Sequence, residues 1–392
     1  MPHPARLPNF LWTKLNMLDV PLWLYPIAFL AVLGPLVFVH EYGHYIVGRW
    51  CGVKADTFSI GFGRKILGWT DKRGTEWKIG WLPLGGYVQF AGDRDAVSQP
   101  DANWQALPAA EKSHTFPAQP VWKRALIVLA GPMTNFLFAI LIFAGFNLVY
   151  GIPTTPPVIS VVQAGSAAEE AGLRAGDRVA AINGRRMDDF SDVRVAVSFD
   201  LGKPANLLIE RGSERLDVTL SPRVITETDR FGNKSERAII GILPGPPVLT
   251  AAGPVTALQG GAKQTWDMAR LTGNILSQFL TGERSVKDMG GPVRIAKQSG
   301  EVATLGIVTL ISFAAFISIN LGFINLLPLP MLDGGHLVFY AYEAIRRRPA
   351  PPQAQEWAFR FGFAAIVTLM LVVTFNDLGS IGVWDGIARL IG

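Results

Sequence analysis

The stretch LVFVHEYGHYIV (37–48) sets His40, Glu41 and His44 into an apolar run. On a helix, positions i and i+4 differ by about 40° in azimuth, so the two imidazoles project together and can share one ion. Neutral imidazole is a good zinc ligand, and two of them leave room for one more protein ligand and a water. Glu41 follows the first imidazole by one residue and points to the side where it can reach that water. In this H-E-x-x-H arrangement zinc lowers the water's pKa toward about 7 and the glutamate accepts its proton. The bland alternative is a set of polar helix residues facing other helices. An ionisable side chain at mid-bilayer costs roughly 2.5–3.5 kcal/mol even on insertion scales, so three together need partners. A metal supplies one.

Such a centre needs a third protein ligand, and Asp333 in NLLPLPMLDGGH (325–336) is the other conspicuous ionisable residue at the end of an apolar run. Pro328, Pro330 and the Gly334–Gly335 pair deny this segment a regular helix. Irregular backbone at membrane depth is tolerated only where it is buried in protein or lines a cavity. Asp333 also reads as the N-cap of the next helix, and the two readings are compatible. His336 reads as a helix-surface histidine.

The elements that must carry these groups belong to a membrane protein. The 392 residues are 49% hydrophobic and 17% charged, with mean hydropathy +0.28, and soluble domains average about 25% charged. A lone cysteine, Cys51, excludes an intramolecular disulfide framework and a multi-cysteine metal site. About twenty residues precede the first apolar stretch and no A-x-A-like site follows it, so that stretch reads as an uncleaved anchor. Four stretches can cross a bilayer: 21–49, 124–150, 304–336 with the Asp333 motif at its end, and 361–376. The basic residues from Arg49 to Arg124, and Arg346, Arg347 and Arg348, put 50–123 and 337–360 in the cytoplasm. The N-terminal arm (1–20), the C-terminal tail (377–392) and the segment between spans two and three then lie outside.

Residues 157–222 alternate in strand fashion around a short helix, and GSAAEEAGLRAGDRVAAINGRRM resembles a bacterial PDZ domain. The linker 223–303 contains SVKDMGGPVRIAKQSG, which reads as an amphipathic segment on the outer membrane face. The run TEWKIGWLPLGGYVQFAG (75–92) reads as two strands joined by a glycine-containing turn, with apolar residues suited to partial immersion. An edge strand there can pair with an unwound substrate helix, whose freed backbone groups find no partner in lipid. The alternative is a hairpin that serves only packing.

His40-Glu41-Tyr42-Gly43-His44 with Leu332-Asp333-Gly334 resembles the site-2 protease family of intramembrane zinc metalloproteases. WLPLGGYVQFAGD (81–93), AGPMTNF (130–136), the PDZ insert, GGPVRIA (290–296) and NLLPLPMLDGGHLVF (325–339) follow in the order of its bacterial sigma-E-regulating branch. One departure is clear: there is room for a single PDZ domain where the enterobacterial form has two. The resemblance implies an α-helical membrane protein with about four transmembrane helices, a membrane-associated β-hairpin and one extracytoplasmic PDZ (α+β) domain. It implies one zinc ion held by His40, His44 and Asp333, with Glu41 as catalytic base. Asn325 and Pro330, with Gly85, Gly86, Tyr87 and Val88 of the hairpin, are implied on the substrate side; Asn325 reads equally as an amide satisfying a broken helix.

The same resemblance implies a multi-pass protein of the bacterial inner membrane, with a periplasmic PDZ domain and an active site near the cytoplasmic side. Expected substrates are single-pass membrane proteins, such as an anti-sigma factor after a first extracytoplasmic cut, and remnant signal peptides. The expected working state is a monomer in contact with lipid, with no nucleic-acid partner. A catalytically inactive PDZ scaffold and a metal transporter are the competing classes. Retention of His40, Glu41, His44 and Asp333 argues against a scaffold, and a single ligand cluster argues against a transport pathway.

Overall fold

Every long apolar stretch becomes a helix, because lipid leaves backbone N–H and C=O groups no partner but each other. The computed structural model describes residues 20–93, 104, 107–199, 204–228, 234–282 and 290–380. The expected arm over 1–19, the tail from 381 onward and residues 285–289 of the expected amphipathic segment lie outside these. Tertiary contacts divide the chain into Met1–Phe143 with Gly261–Gly392, and Ala144–Gly260.

In the first unit, α1 spans Leu24–Trp50. Two strands follow, β1 (Ala55–Thr70) and β2 (Glu76–Phe90), and then α2 (Val121–Tyr150). Among the described residues four helices are long and apolar enough to cross a membrane: α1, α2 and two later ones given below. They cross closely where side chains are small. A Cβ on Gly43 would collide with Thr134 and with the Ala130 carbonyl of α2. Thr134 Oγ1 in turn donates to Val39 O at 3.1 Å across that crossing.

The β region differs from the expected hairpin over 75–92. Its turn is at Asp71–Thr75, where Asp71 Oδ1 accepts from Arg73 N at 2.8 Å and from Thr75 N at 3.0 Å, and Gly74 takes φ 82°. This is an Asx-type turn. Residues 65–70 pair with 76–80, and 57–60 have partners on both sides: Glu76, Trp77, Lys78 and Ile79 on one, Gln89, Val88, Tyr87 and Gly86 on the other. Residues 76–80 and 86–90 are therefore both extended but separated by 57–60, a long-range insertion that local pattern does not reveal. Among the described residues, 86–90 pairs on one side only. Phe58 (1% exposed) anchors the sheet among Tyr45, Ile127 and Phe90.

The second unit holds β3 (Ile152–Thr154), β4 (Ile159–Val162), α3 (Ala167–Glu170), β5 (Arg178–Ile182), β6 (Arg185–Arg186), α4 (Phe190–Phe199), β7 (Ala205–Arg211) and β8 (Glu214–Leu220). β6-β5-β7-β8 form one sheet. Beyond residue 222 come β9 (Arg223–Thr228), β10 (Lys234–Ile239), β11 (Ile242–Pro244) and β12 (Val248–Thr250). β11 pairs with β4, and Ile240 is buried in the same core as Ile159, Val179 and Leu207. The folded unit thus continues past the expected limit of 222, because the partner of β4 comes from later in the chain.

The linker expected over 223–303 is largely regular. It supplies α5 (Pro254–Leu280), a 27-residue amphipathic helix, and α6 (Pro292–Thr304). The expected amphipathic segment contributes α6, whose Ser299 and Gly300 are buried. A Cβ on Gly300 would strike Tyr25 of α1, so α6 packs on protein along this face. Then come α7 (Ile307–Asn325), α8 (Asp333–Arg346) and α9 (Pro352–Ser380); α7 and α9 are the other two helices long and apolar enough to cross a membrane. Asp377 of α9 accepts from Gly291 N and Arg294 N, each at 3.0 Å, and so caps α6 from another helix.

Candidate metal and catalytic site

Helical periodicity brings His40 and His44 to one face of α1, both under 10% exposed, with Nε2 atoms 3.3 Å apart. The break after α7 brings in the third group. α7 ends at Asn325 and α8 starts at Asp333; between them the chain turns through Pro328, Pro330 and Met331, the last held at φ 82°. A positive φ on a side chain of that size is strained. Gly334 and Gly335 lie so close under the 326–330 backbone that a Cβ on either would collide with its carbonyls. These glycines let the first turn of α8 tuck beneath the loop and turn Asp333 inward.

Asp333 Oδ2 then lies 3.2 Å from His40 Nε2 and 3.5 Å from His44 Nε2. It is not the N-cap of α8. That position falls to Leu332, with no side-chain cap bond, because the carboxylate is turned toward the imidazoles. The reading as an N-cap is thus not met. Asp333 Oδ2 is buried and makes no hydrogen bond.

The donor set fits a zinc ion. Two imidazole nitrogens and one carboxylate oxygen all fall within 4.8 Å of one another, and His/His/carboxylate is a known catalytic zinc set. His44 Nδ1 is 2.9 Å from Ile127 O. A carbonyl can only accept, so Nδ1 carries the proton and the Nε2 lone pair is free for the ion. Space for that ring comes from Gly131 of α2, where a Cβ would overlap the His44 imidazole.

A cavity of about 600 Å³ opens over the three groups, within the range of ligand sites. Its walls include Glu41, Asn325, His336 and the strand residues Gly85 to Phe90. Glu41 is buried beside the strand: a Cβ on Gly86 would meet Glu41 Cγ at 2.8 Å and Ser59 O at 2.7 Å. Gly85 takes φ 109°, which favours glycine. Tyr87 stacks on Phe62 with centroids 6.0 Å apart. Asn325 Nδ2 is 3.5 Å from His40 Nε2.

Of the residues expected in the site, the fold brings together His40, Glu41, His44, Asp333, Asn325, Gly85, Gly86, Tyr87 and Val88. Pro330 stands apart from the described cavity lining and packs against Gly362 of α9. His336, expected on the surface, lines the cavity with its ring 5.1 Å from that of Phe359. Sequence reasoning missed Asn135 and Gly131. The signal was present in AGPMTNF: an amide in mid-span must have an internal partner.

Residues 28–369 match Peptidase family M50. A protein of Agrobacterium fabrum, provisionally named a zinc metalloprotease, is 46% identical over 91% of this chain and 96% of its own length. One of Rhizobium meliloti, with the same provisional name, is 44% identical over 90% and 95%. Metalloprotease MmpA of Caulobacter vibrioides is 35% identical over 93% and 98%. A PDZ domain from an SdrC-like protein of Listeria innocua aligns with 23% of this chain and 92% of that one, at 19% identity and TM-score 0.19.

Proposed function

The chain belongs to peptidase family M50, and from that premise we propose that this zinc metalloprotease cuts transmembrane segments of single-pass membrane proteins within the bilayer. The observation that carries the reading is the convergence of His40, His44 and Asp333 around one point, in a unit whose described residues include four helices long and apolar enough to cross a membrane. One zinc ion per chain would be held by His40, His44 and Asp333, whose ligand atoms lie within 4.8 Å of one another.

Zinc in such a centre supplies a Lewis acid that acidifies water and polarises a peptide carbonyl. Glu41, on the cavity wall beside the imidazoles, takes the proton from the attacking water and passes it to the departing amine. Asn325 faces the same space and offers its amide to the substrate carbonyl. Strand residues 86–90 hold the unwound substrate by strand addition, giving its freed N–H and C=O groups the partners that lipid denies. Their single-sided pairing and their place on the cavity wall support this.

The four catalytic and metal side chains come from one chain, which supports a monomeric enzyme. The positive charge of 50–123 and 337–360 supports an active site toward the cytoplasmic side of a bacterial inner membrane, with a periplasmic PDZ domain. By resemblance to the sigma-E-regulating branch, the substrates are an anti-sigma factor already trimmed outside and remnant signal peptides, and the PDZ domain restrains uncut substrates. Deleting 157–222 tests that restraint: cleavage of an untrimmed substrate is expected, and continued resistance refutes it.

The decisive experiment pairs metal analysis with cleavage of a model transmembrane substrate. Glu41→Gln should keep one zinc per chain and lose cleavage by about 10²–10⁴-fold. A variant that still cleaves would remove Glu41 from the role of base, and a wild type that never cleaves would replace the protease by a PDZ scaffold.

A further inference from the structure

The two zinc-facing imidazoles are oriented by different partners, and only one of those partners is unambiguous. His44 Nδ1 meets a backbone carbonyl. His40 Nδ1 meets the side-chain amide of Asn135 on α2, with Nδ2 at 3.1 Å. Asn135 is fully buried, and its Oδ1 makes no hydrogen bond. Oxygen and nitrogen of an amide occupy near-identical positions, so which one faces His40 follows from chemistry. An NH₂ facing Nδ1 would force the imidazole proton onto Nε2, the atom aimed at Asp333 Oδ2, where it would block a metal.

We infer that Asn135 is a positioning residue of the zinc centre: its Oδ1 accepts the Nδ1–H of His40 and so keeps the Nε2 lone pair turned toward the ion. Its own placement is over-determined. Ser318 Oγ donates to Asn135 O at 2.9 Å, and Gly322 lets α7 approach so closely that an added Cβ would lie 3.3 Å from Asn135 Cβ. The α1–α2–α7 crossing thereby fixes a tautomer, as outer-shell acceptors do for other metal-binding histidines.

This inference rests on the zinc reading, and full-length protein in detergent micelles separates the two. Zinc affinity is measured by competition with a chromophoric chelator, alongside the visible spectrum of cobalt-loaded protein and the melting temperature. Asn135→Leu, which removes the acceptor at similar volume, should weaken zinc binding by about 10–100-fold and alter the cobalt spectrum. Asn135→Asp, which can accept, should stay within about tenfold of wild type. Equal zinc affinity in wild type and a folded Asn135→Leu overturns the inference. Should Asn135→Leu not fold, Asn135→Asp carries the test, because a 100-fold loss there would show that donation by Nδ2 is what matters. Wild type that binds no zinc would instead sink the metal reading itself.

Discussion

Two carboxylates with buried oxygens, Asp177 in one unit and Asp333 in the other, are treated in opposite ways. In Ala144–Gly260 the core is aliphatic, built on Ile159, Val179, Leu207 and Ile209, and its buried carboxylate is matched. Asp177, 1% exposed, receives Arg211 Nε at 2.7 Å and Nη2 at 2.8 Å, and Arg174 N at 2.8 Å. In the membrane unit apolar side chains such as Leu137, Leu141 and Leu371 cover the outside, while His40, Glu41, His44, Asn135 and Ser318 are buried. There Asp333 Oδ2 is left without a hydrogen bond. Leaving such a group unmade costs about 1–3 kcal/mol or more. A matched carboxylate such as Asp177 contributes to stability; one with an oxygen open toward two imidazoles, such as Asp333, fits a metal ion.

Removing the open carboxylate is the harshest way to test that contrast. Asp333→Ala should empty the zinc site and lower cleavage by on the order of 10³-fold or more, while hydrogen exchange across 144–260 stays unchanged. Zinc retained at one per chain would break the assignment. A chelator should reproduce the loss in wild type, with activity restored by added zinc. Next in size, Gly131→Ala drives a methyl into the His44 ring and should cost about 10–100-fold in zinc affinity.

Gly86→Ala presses on Glu41 Cγ and should lower kcat by about tenfold or more with zinc binding intact; a change confined to zinc content would place the strand in the wrong role. A proline scan along 86–90 should likewise reduce cleavage of helical substrates, by removing donors that strand addition uses. The smallest effect belongs to the matched carboxylate. Arg211→Gln should loosen exchange within 144–260 and leave zinc content alone.

The hydrogen bonds and charge of Arg211 hold the Asp177 carboxyl below the usual carboxylate range. Its folded value is depressed, so its contribution is complete above the unfolded pKa of about 3.9 and fades as pH falls through the lower folded value. Acid unfolding of this unit should shift to higher pH in Arg211→Gln. An unchanged acid limb would show the pair to be idle.

How far the site could be read before folding differs residue by residue. His40 and His44 were legible because a helix repeats every 3.6 residues, so four positions along the sequence become one direction in space. Asp333 was legible as an ionisable group that apolar surroundings could not leave alone. The course of 75–92 was not: two extended runs in sequence suggest a hairpin, yet 57–60 lies between them, and register of that kind is chosen by distant partners. The same limit hid β11 as the neighbour of β4 and the cavity face of His336.

Length, apolar runs and short periodic motifs determined by themselves that this is a membrane protein with a two-histidine, one-glutamate helix. Only the tertiary structure decided which atoms meet: Asp333 with the imidazoles, Asn135 with His40, Gly131 beneath His44, Gly86 against Glu41. The reason is one of range. Backbone periodicity acts over a few residues and is written locally, whereas close approach of helices depends on missing methyl groups on both sides of a crossing, whose pairing no single stretch contains.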